Sequence, residues 1–317
     1  MSAPTLPPEM TLDAYGAYRK DVGGWLPHLA ELARGLGLSG ELTPVLSGSN
    51  LIATAGPEVI LKVYAPPFAT DFAVERSGLR AAHGRLGVPV PEVLDEGMHH
   101  GWPYLVLRRL PGVMMQTAWK EISPTERVRL AEQLGSVVRA LHALPLEHVD
   151  PLRIDWPAFV RRQAAESMAV QRAAGLSEAW LEQLPDYLRH AEAEAERDFE
   201  PVLLHADLTD HNLLVIEQDG RWSLSGVLDF ADATIGPREY ELMAACIGGL
   251  DAEPGLQRPF LLAAGFEPED LGPELRRRAF LNTLLHRFTH LPGLMRRARI
   301  TPDVATFEAL ESAMWPL

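Results

Sequence analysis

One segment restricts the architecture more than any other. From residue 202 the chain reads VLLHADLTDHNLLVIEQDGRWSLSGVLDF, in which apolar runs alternate with two polar junctions. The first junction carries His205, Asp207 and Asn212, and the second carries Asp229. LLVIEQDG and WSLSGVLDF read as two strands of a hairpin, with VLL as an apolar strand leading in. A hairpin brings its two ends together, so Asp207, Asn212 and Asp229 should converge although seventeen residues separate the last two.

Two carboxylates and an amide meeting at one point are hard oxygen donors of the kind Mg²⁺ takes beside phosphate oxygens and water. An Asp followed five residues later by an Asn, then an Asp beyond a hairpin, is also the spacing of a kinase catalytic loop and its metal-binding Asp. Such chemistry needs a cation for the phosphates. VILKVY places Lys62 in an otherwise apolar strand, where its charge requires a partner, and the following helix offers Glu75. Without the downstream junctions, the plainer reading of Lys62 is a solvent-facing strand lysine.

The remainder of the chain fits a two-lobed α+β molecule. A helical stretch over residues 12–36 precedes three short strands, ELTPVLSG, NLIATAG and EVILKVY. FATDFAVERSGLRAAHGRLG predicts a helix to Gly87, and VPEVLDEG and WPYLVLRRL predict two more strands joined by MHHG. LPGV at 110–113 reads as a linker. This divides the chain into an N-terminal lobe, 1–110, with a five-stranded antiparallel sheet and one helix, and a mostly helical lobe, 111–317. In the second lobe Ser123, Pro124 and Glu126 form a capping-box pattern ahead of an apolar face at Val128, Ala131, Leu134, Val138 and Leu141. Helices are expected over 156–174, 177–196 and most of the chain after Glu239.

With 29 Lys and Arg against 43 Asp and Glu, the formal charge of −14 disfavours nucleic acid and anionic membrane surfaces as partners. The lone Cys246 cannot form an internal disulfide and reads as a small buried hydrophobe. MSAPTLPPEM has no signal-peptide pattern and no apolar run reaches a membrane-spanning length, so a cytoplasmic location is expected.

Taken together, VILKVY, Glu75, YLVLRRLPG, HADLTDHNLLV and LDFADATIGPREYEL resemble the aminoglycoside phosphotransferase family, small-molecule kinases of the protein-kinase-like fold. The resemblance implies ATP or GTP as phosphoryl donor, Mg²⁺ as cofactor and a small-molecule hydroxyl as acceptor. It implies Asp207 as the catalytic base, Asn212 and Asp229 as metal ligands, Lys62 on phosphate and Glu75 positioning it. Backbone near Arg108 and Leu110 would meet the base edge, with Ile60 and Leu214 sandwiching the ring, and His205 would brace the loop. The family's His-Gly-Asp is His205-Ala206-Asp207 here; alanine fits unless the backbone needs a positive φ. No G-x-G-x-x-G follows the first strand; LSGSNL offers Ser47, Gly48 and Ser49 instead. Only seven residues separate Asp229 from Pro237, too few for a peptide-docking activation segment.

The insert around residues 154–188 looks like that of hygromycin-type kinases. Choline, homoserine, sugar or macrolide acceptors are family alternatives. Asp210, Asp232, Glu239 and Glu241 could meet a cationic sugar, or each serve locally. A non-haem iron oxygenase is the rival chemistry: His205 and Asp207 form H-x-D, with His286 or His290, four apart on an expected helix, as third ligand. A nucleotide-binding module without catalysis is the third reading. His99 and His100 are taken as an exposed turn, and Trp102, Trp119, Trp156 and Trp180 as packing.

Overall fold

The computed structural model describes residues 6–7, 9–147, 149–195, 197–301 and 304–317. Its first lobe is the expected five-stranded antiparallel sheet, β1 (Leu42–Val45), β2 (Leu51–Ala55), β3 (Val59–Val63), β4 (Val93–His99) and β5 (Trp102–Arg108), in the order β1-β2-β3-β5-β4. Alternation along β3 splits its side chains between two faces. Leu61 and Val63 join Leu51, Ala53, Trp102, Tyr104 and Val106 on the outer face, beneath Trp25, Leu29 and Leu32 of the N-terminal helices. Ile60 and Lys62 share the opposite face, on which Leu105 and Leu107 merge with the core of the second lobe.

The helical stretch over 12–36 is two helices, α1 (Leu12–Lys20) and α2 (Val22–Gly35). Asp21 breaks it: at φ −85° and ψ 76° it leaves the helix, and its side chain caps α2 by accepting from the Gly24 N–H at 3.1 Å. α3 (Ala69–Ala82) stops five residues short of Gly87, because Gly84 and Gly87 both take φ +72°.

Beyond the linker lie β6 (Val113–Met114), α4 (Met115–Ala118) and α5 (Pro124–His142). Ser123 caps α5 as expected, accepting from the Glu126 N–H. Glu126 does not complete the box; its carboxylate accepts from the Trp222 N–H at 3.1 Å and so ties α5 to the hairpin. The buried side of α5 includes Ala131, Leu134, Val138 and Leu141. α6 (Trp156–Ala173) follows. The stretch 177–196 divides into α7 (Glu178–Leu181) and α8 (Leu184–Ala195), where Pro185 lacks the N–H that a continuous helix needs.

β7 (Val202–Leu204) delivers the first junction. The hairpin β8 (Leu213–Gln218) and β9 (Arg221–Val227) follows, and β10 (Thr234–Gly236) returns to pair with β7. Short 3₁₀ and π turns over 238–249 lead to α9 (Pro254–Ala263), α10 (Pro273–Leu285), α11 (Leu291–Arg297) and α12 (Phe307–Met314). α5 crosses α9 at Gly135, where a Cβ would strike the Phe260 carbonyl. The expected helix through His286 and His290 is absent: α10 ends at Leu285, and His286 turns inward to stack on Tyr240. Cys246 is buried, as are Trp102 and Trp156, while Trp119 and Trp180 pack partly buried against the core. No helix among the described residues is long and apolar enough to cross a membrane.

Candidate functional site

The two polar junctions are fastened to each other by the backbone. Asn212 C=O accepts from the Leu228 N–H at 2.8 Å, one step beyond the last rung of β8 and β9. Leu228 C=O lies 2.8 Å from Nε2 of the buried His205, and His205 Nδ1 accepts from the Asp207 N–H at 3.2 Å. That pattern makes His205 a neutral ring protonated at Nε2, and burial holds its pKa below the ordinary value. Asn212 Nδ2 donates to Asp207 twice, to the carbonyl at 2.9 Å and to Oδ2 at 2.7 Å. Asp207 and Asn212 are therefore locked side by side, with the Asn oxygen left over.

Ala206 adopts φ +63°, the left-handed conformation that glycine takes freely and that costs an L residue about 1–2 kcal/mol. Glu241 is what holds it. Its fully buried carboxylate accepts from the N–H groups of His205 at 2.7 Å and Ala206 at 2.9 Å, satisfying two buried donors where β7 ends. Burial pushes the Glu241 carboxyl up to about 7, against the pull of those two hydrogen bonds. Asp207 is also raised to about 7, by burial first and then by the charges of Asp232 and Asp229, with Asn212 pulling the other way.

Lys62 crosses from the sheet to meet this loop. Lys62 is 4% exposed, and its ammonium lies 2.6 Å from Glu75 of α3 and 3.0 Å from Asp229. Burial opposes the charge, but two carboxylates outweigh it and keep Lys62 protonated. Burial likewise pushes Asp229 up, and the Lys62 ammonium more than reverses this, so Asp229 sits below the ordinary carboxylate value. Tyr64, the residue just past the end of β3, donates its hydroxyl to Glu75 at 2.5 Å. α3 can come this close because Gly78 faces Phe230: a Cβ there would sit 2.9 Å from the Phe230 Cβ.

Of the four remaining candidates, Ile60 and Arg108 stand on the sheet, and Leu110 and Leu214 pack on the hairpin. Ile60 shares the Lys62 face of β3, half-buried. Leu214 and Leu110 meet over Gly226, where an added Cβ would lie 3.2 and 2.7 Å from their Cδ1 atoms. Arg108 turns outward, its side chain paired with Glu92 at 2.8 Å. The N–H groups of Arg108 and Arg109 are taken by Glu92 and Glu58 carbonyls, which leaves Leu110 N–H as the hinge donor without a protein partner among the described residues. The loop over 46–50 has Gly48 at φ +79° and is gripped from behind by α1: Tyr15 donates to the Ser49 carbonyl at 2.7 Å, and Arg19 donates to the Leu46 carbonyl. A cavity of about 920 Å³, lined by Arg139, His142, Trp156, Arg238 and Arg278 among others, contains none of these nine candidates.

Sequence reading missed Tyr64 and the grip of α1, and named Glu241 only as an acid that could face a cationic sugar or serve locally, not as the support of the His205–Ala206 turn. Tyr64 carried a signal, standing on the same side of the chain as Lys62. Glu241 carried none beyond its place in GPREYEL, because its partners are backbone N–H groups 35 and 36 residues away.

The iron-oxygenase arrangement fails on geometry. Both ring nitrogens of His205 are engaged by the backbone, so no lone pair remains for a metal. His286 is buried against Tyr240, ring centroids 4.5 Å apart, and His290 caps α11 by accepting from the Gly293 N–H. The acidic residues considered for a cationic sugar all have protein partners: Asp210 with Arg297, Asp232 with Arg287 at 2.7 Å, Glu239 with Arg278 at 3.2 Å, and Glu241 with the loop.

A model of the phosphotransferase enzyme family matches residues 45–281. An aminoglycoside 3'-phosphotransferase of Streptomyces fradiae is 30% identical over 207 residues, spanning 61% of this chain and 72% of that protein. The solved GDP and kanamycin complex of APH(2")-IIIa superposes with a TM-score of 0.65 at 19% identity, covering 86% of this chain and 91% of the other. A thermostable mutant of APH(4)-Ia, in complex with ADP and hygromycin B, superposes with a TM-score of 0.56 at 20% identity, covering 90% and 95%.

Proposed function

This chain belongs to the phosphotransferase enzyme family, and from that premise we propose that it moves the γ-phosphoryl group of ATP or GTP to a hydroxyl of an aminoglycoside. The observation that carries the proposal is the Lys62 ammonium bridging Glu75 and Asp229 beside the locked Asp207–Asn212 pair. A buried lysine held between two carboxylates, next to a carboxylate tuned toward neutrality, suits phosphoryl transfer. Residues 1–110 serve as the nucleotide lobe and 111–317 as the catalytic and acceptor lobe. The donor's base is read by Leu110 N–H and packed between Ile60 and the Leu110–Leu214 floor; Arg108 contributes backbone position only.

Asn212 and Asp229 fit Mg²⁺. Lys62 and Asp207 occupy their other polar atoms, leaving the Asn212 amide oxygen and Oδ2 of a carboxylate whose side chain is 35% exposed, both hard donors. When bound there, the ion would neutralise charge on the donor phosphates. Lys62 binds phosphate oxygens, and Glu75, steadied by Tyr64, sets its position. Asp207 aligns the acceptor hydroxyl. As the hydroxyl oxygen bonds to the γ-phosphorus and the bond to the β,γ-bridging oxygen breaks, Asp207 takes the proton and the nucleoside diphosphate leaves.

The test is a panel of aminoglycosides, choline, homoserine and simple sugars incubated with ATP or GTP and Mg²⁺, scored by mass. An aminoglycoside should gain one phosphoryl group. Transfer only to another alcohol would overturn the acceptor assignment, and no transfer with no nucleotide turnover would overturn the whole reading.

A pH profile follows from the raised pKa of Asp207. A base must be unprotonated to act, so kcat/KM should fall as pH drops through about 7, rather than near the ordinary 3.8. Asp232 is the foremost charge raising that pKa, so Asp232→Asn should move the acid limb to lower pH. An unmoved limb would assign it to another group.

A further inference from the structure

The β4–β5 turn, expected as an exposed loop, keeps His100 accessible to solvent but leaves His99 half-buried. It folds back on α2 and sets His99 and His100 against His28 and Glu31. His28 and Glu31 are three residues apart and so share a face of α2. Each of the four residues offers one ligand atom, and these atoms all lie within 4.8 Å of one another. The His99 and His100 ring centroids are 4.2 Å apart, those of His28 and His100 are 5.9 Å apart, and His100 Nε2 lies 3.3 Å from Glu31 Oε2.

One further observation points to a ligand for this cluster. His99 Nε2 is buried without a hydrogen-bond partner among the described residues. A buried polar atom left unpaired costs about 1–3 kcal/mol, a cost that a metal bond would remove.

We propose that His28, Glu31, His99 and His100 form a binding site for a transition-metal dication, Zn²⁺ foremost, that clasps α2 to the β4–β5 hairpin. Three imidazoles and one carboxylate suit tetrahedral Zn²⁺. Bonds of about 2.0–2.1 Å place tetrahedral ligands about 3.3 Å apart, so the widest pair of the cluster, within 4.8 Å now, needs to close by about 1.5 Å. The set is closed, with four protein ligands, which makes the site structural. It ties the helices covering the outer face to the sheet that carries Lys62, and its ligands are distinct from the Asn212–Asp229 pair.

The experiment uses the full chain stripped of metal with a chelator, then titrated with Zn²⁺ by calorimetry and with Co²⁺ by visible absorption. One Zn²⁺ per chain should bind at this site, and Co²⁺ should give the intense d–d bands of a tetrahedral ion. His99→Ala should weaken Zn²⁺ binding more than about ten-fold, whereas Asp229→Asn should leave the Co²⁺ bands in place. His28 is buried and its loss could unfold the lobe, so Glu31→Gln and His100→Asn, at the open side of the cluster, serve as the second pair and should each weaken binding. Zn²⁺ should also raise the melting temperature of the parent chain and not of His99→Ala. Equal Zn²⁺ affinity in the parent and the histidine variants, weak octahedral Co²⁺ spectra, or no saturable binding below millimolar zinc would each overturn the site.

Discussion

Asp207→Asn should lower turnover by about two to four orders of magnitude while nucleotide still binds. The substitution keeps the size and shape of the side chain and removes its capacity to take a proton. Its amide oxygen can accept from Asn212 Nδ2 as Oδ2 does at 2.7 Å, so the loop has no reason to rearrange. Stability should hold or improve, since burial and the charges of Asp232 and Asp229 already work against the ionised carboxyl. Rapid-quench measurement of transfer, beside calorimetric nucleotide binding, separates chemistry from affinity. Equal turnover in parent and variant would remove Asp207 from the reaction, and loss of nucleotide binding would give it a structural part instead.

The second large effect concerns Lys62. Lys62→Ala leaves Glu75 and Asp229 without the cation that reconciles them, and Glu75 is almost wholly buried, with the Tyr64 hydroxyl as its remaining partner among the described residues. Removing one member of a buried ion pair typically costs about 3–5 kcal/mol, and the donor phosphates would lose their cation as well. The variant should therefore unfold at lower denaturant concentration and show a raised nucleotide KM with little turnover. Adding Glu75→Gln should restore much of the stability, because the unpaired charge is gone, and none of the activity. A single variant as stable as the parent would mean that the ammonium and Glu75 do not depend on each other in solution. Recovery of turnover in the double variant would show that phosphate is bound by something other than Lys62.

Much of this architecture could be read in advance where the controlling interactions are local. All five strands of the first lobe stand close to where their apolar runs and turn residues put them, because each is bounded by its own breakers. The hairpin did the same for the site: Asp207, Asn212 and Asp229 converge since β8 and β9 must lie side by side. Lys62 was legible from a conflict, a charge within an apolar strand. The failures share a cause. Asp21 continues a helical pattern in composition, yet its side chain does more for the chain as a cap to α2 than inside a longer helix. His286 continues the α10 pattern and leaves it because Tyr240, 46 residues earlier, offers a stacking surface. The α1 grip on the 46–50 loop and the packing of His99 and His100 against α2 arise from partners far away in the chain.

Residue types and their spacing therefore determined the strands, the hairpin and the identity of the polar groups, because backbone hydrogen bonding and side-chain alternation act over a few residues. What only the tertiary structure decided is which charges meet. Lys62 and Asp229 are 167 positions apart, and Glu241 reaches back 35 and 36 to hold Ala206 in a left-handed turn. Burial makes those meetings obligatory, since a charge or an N–H group removed from water must find its partner wherever the fold provides one.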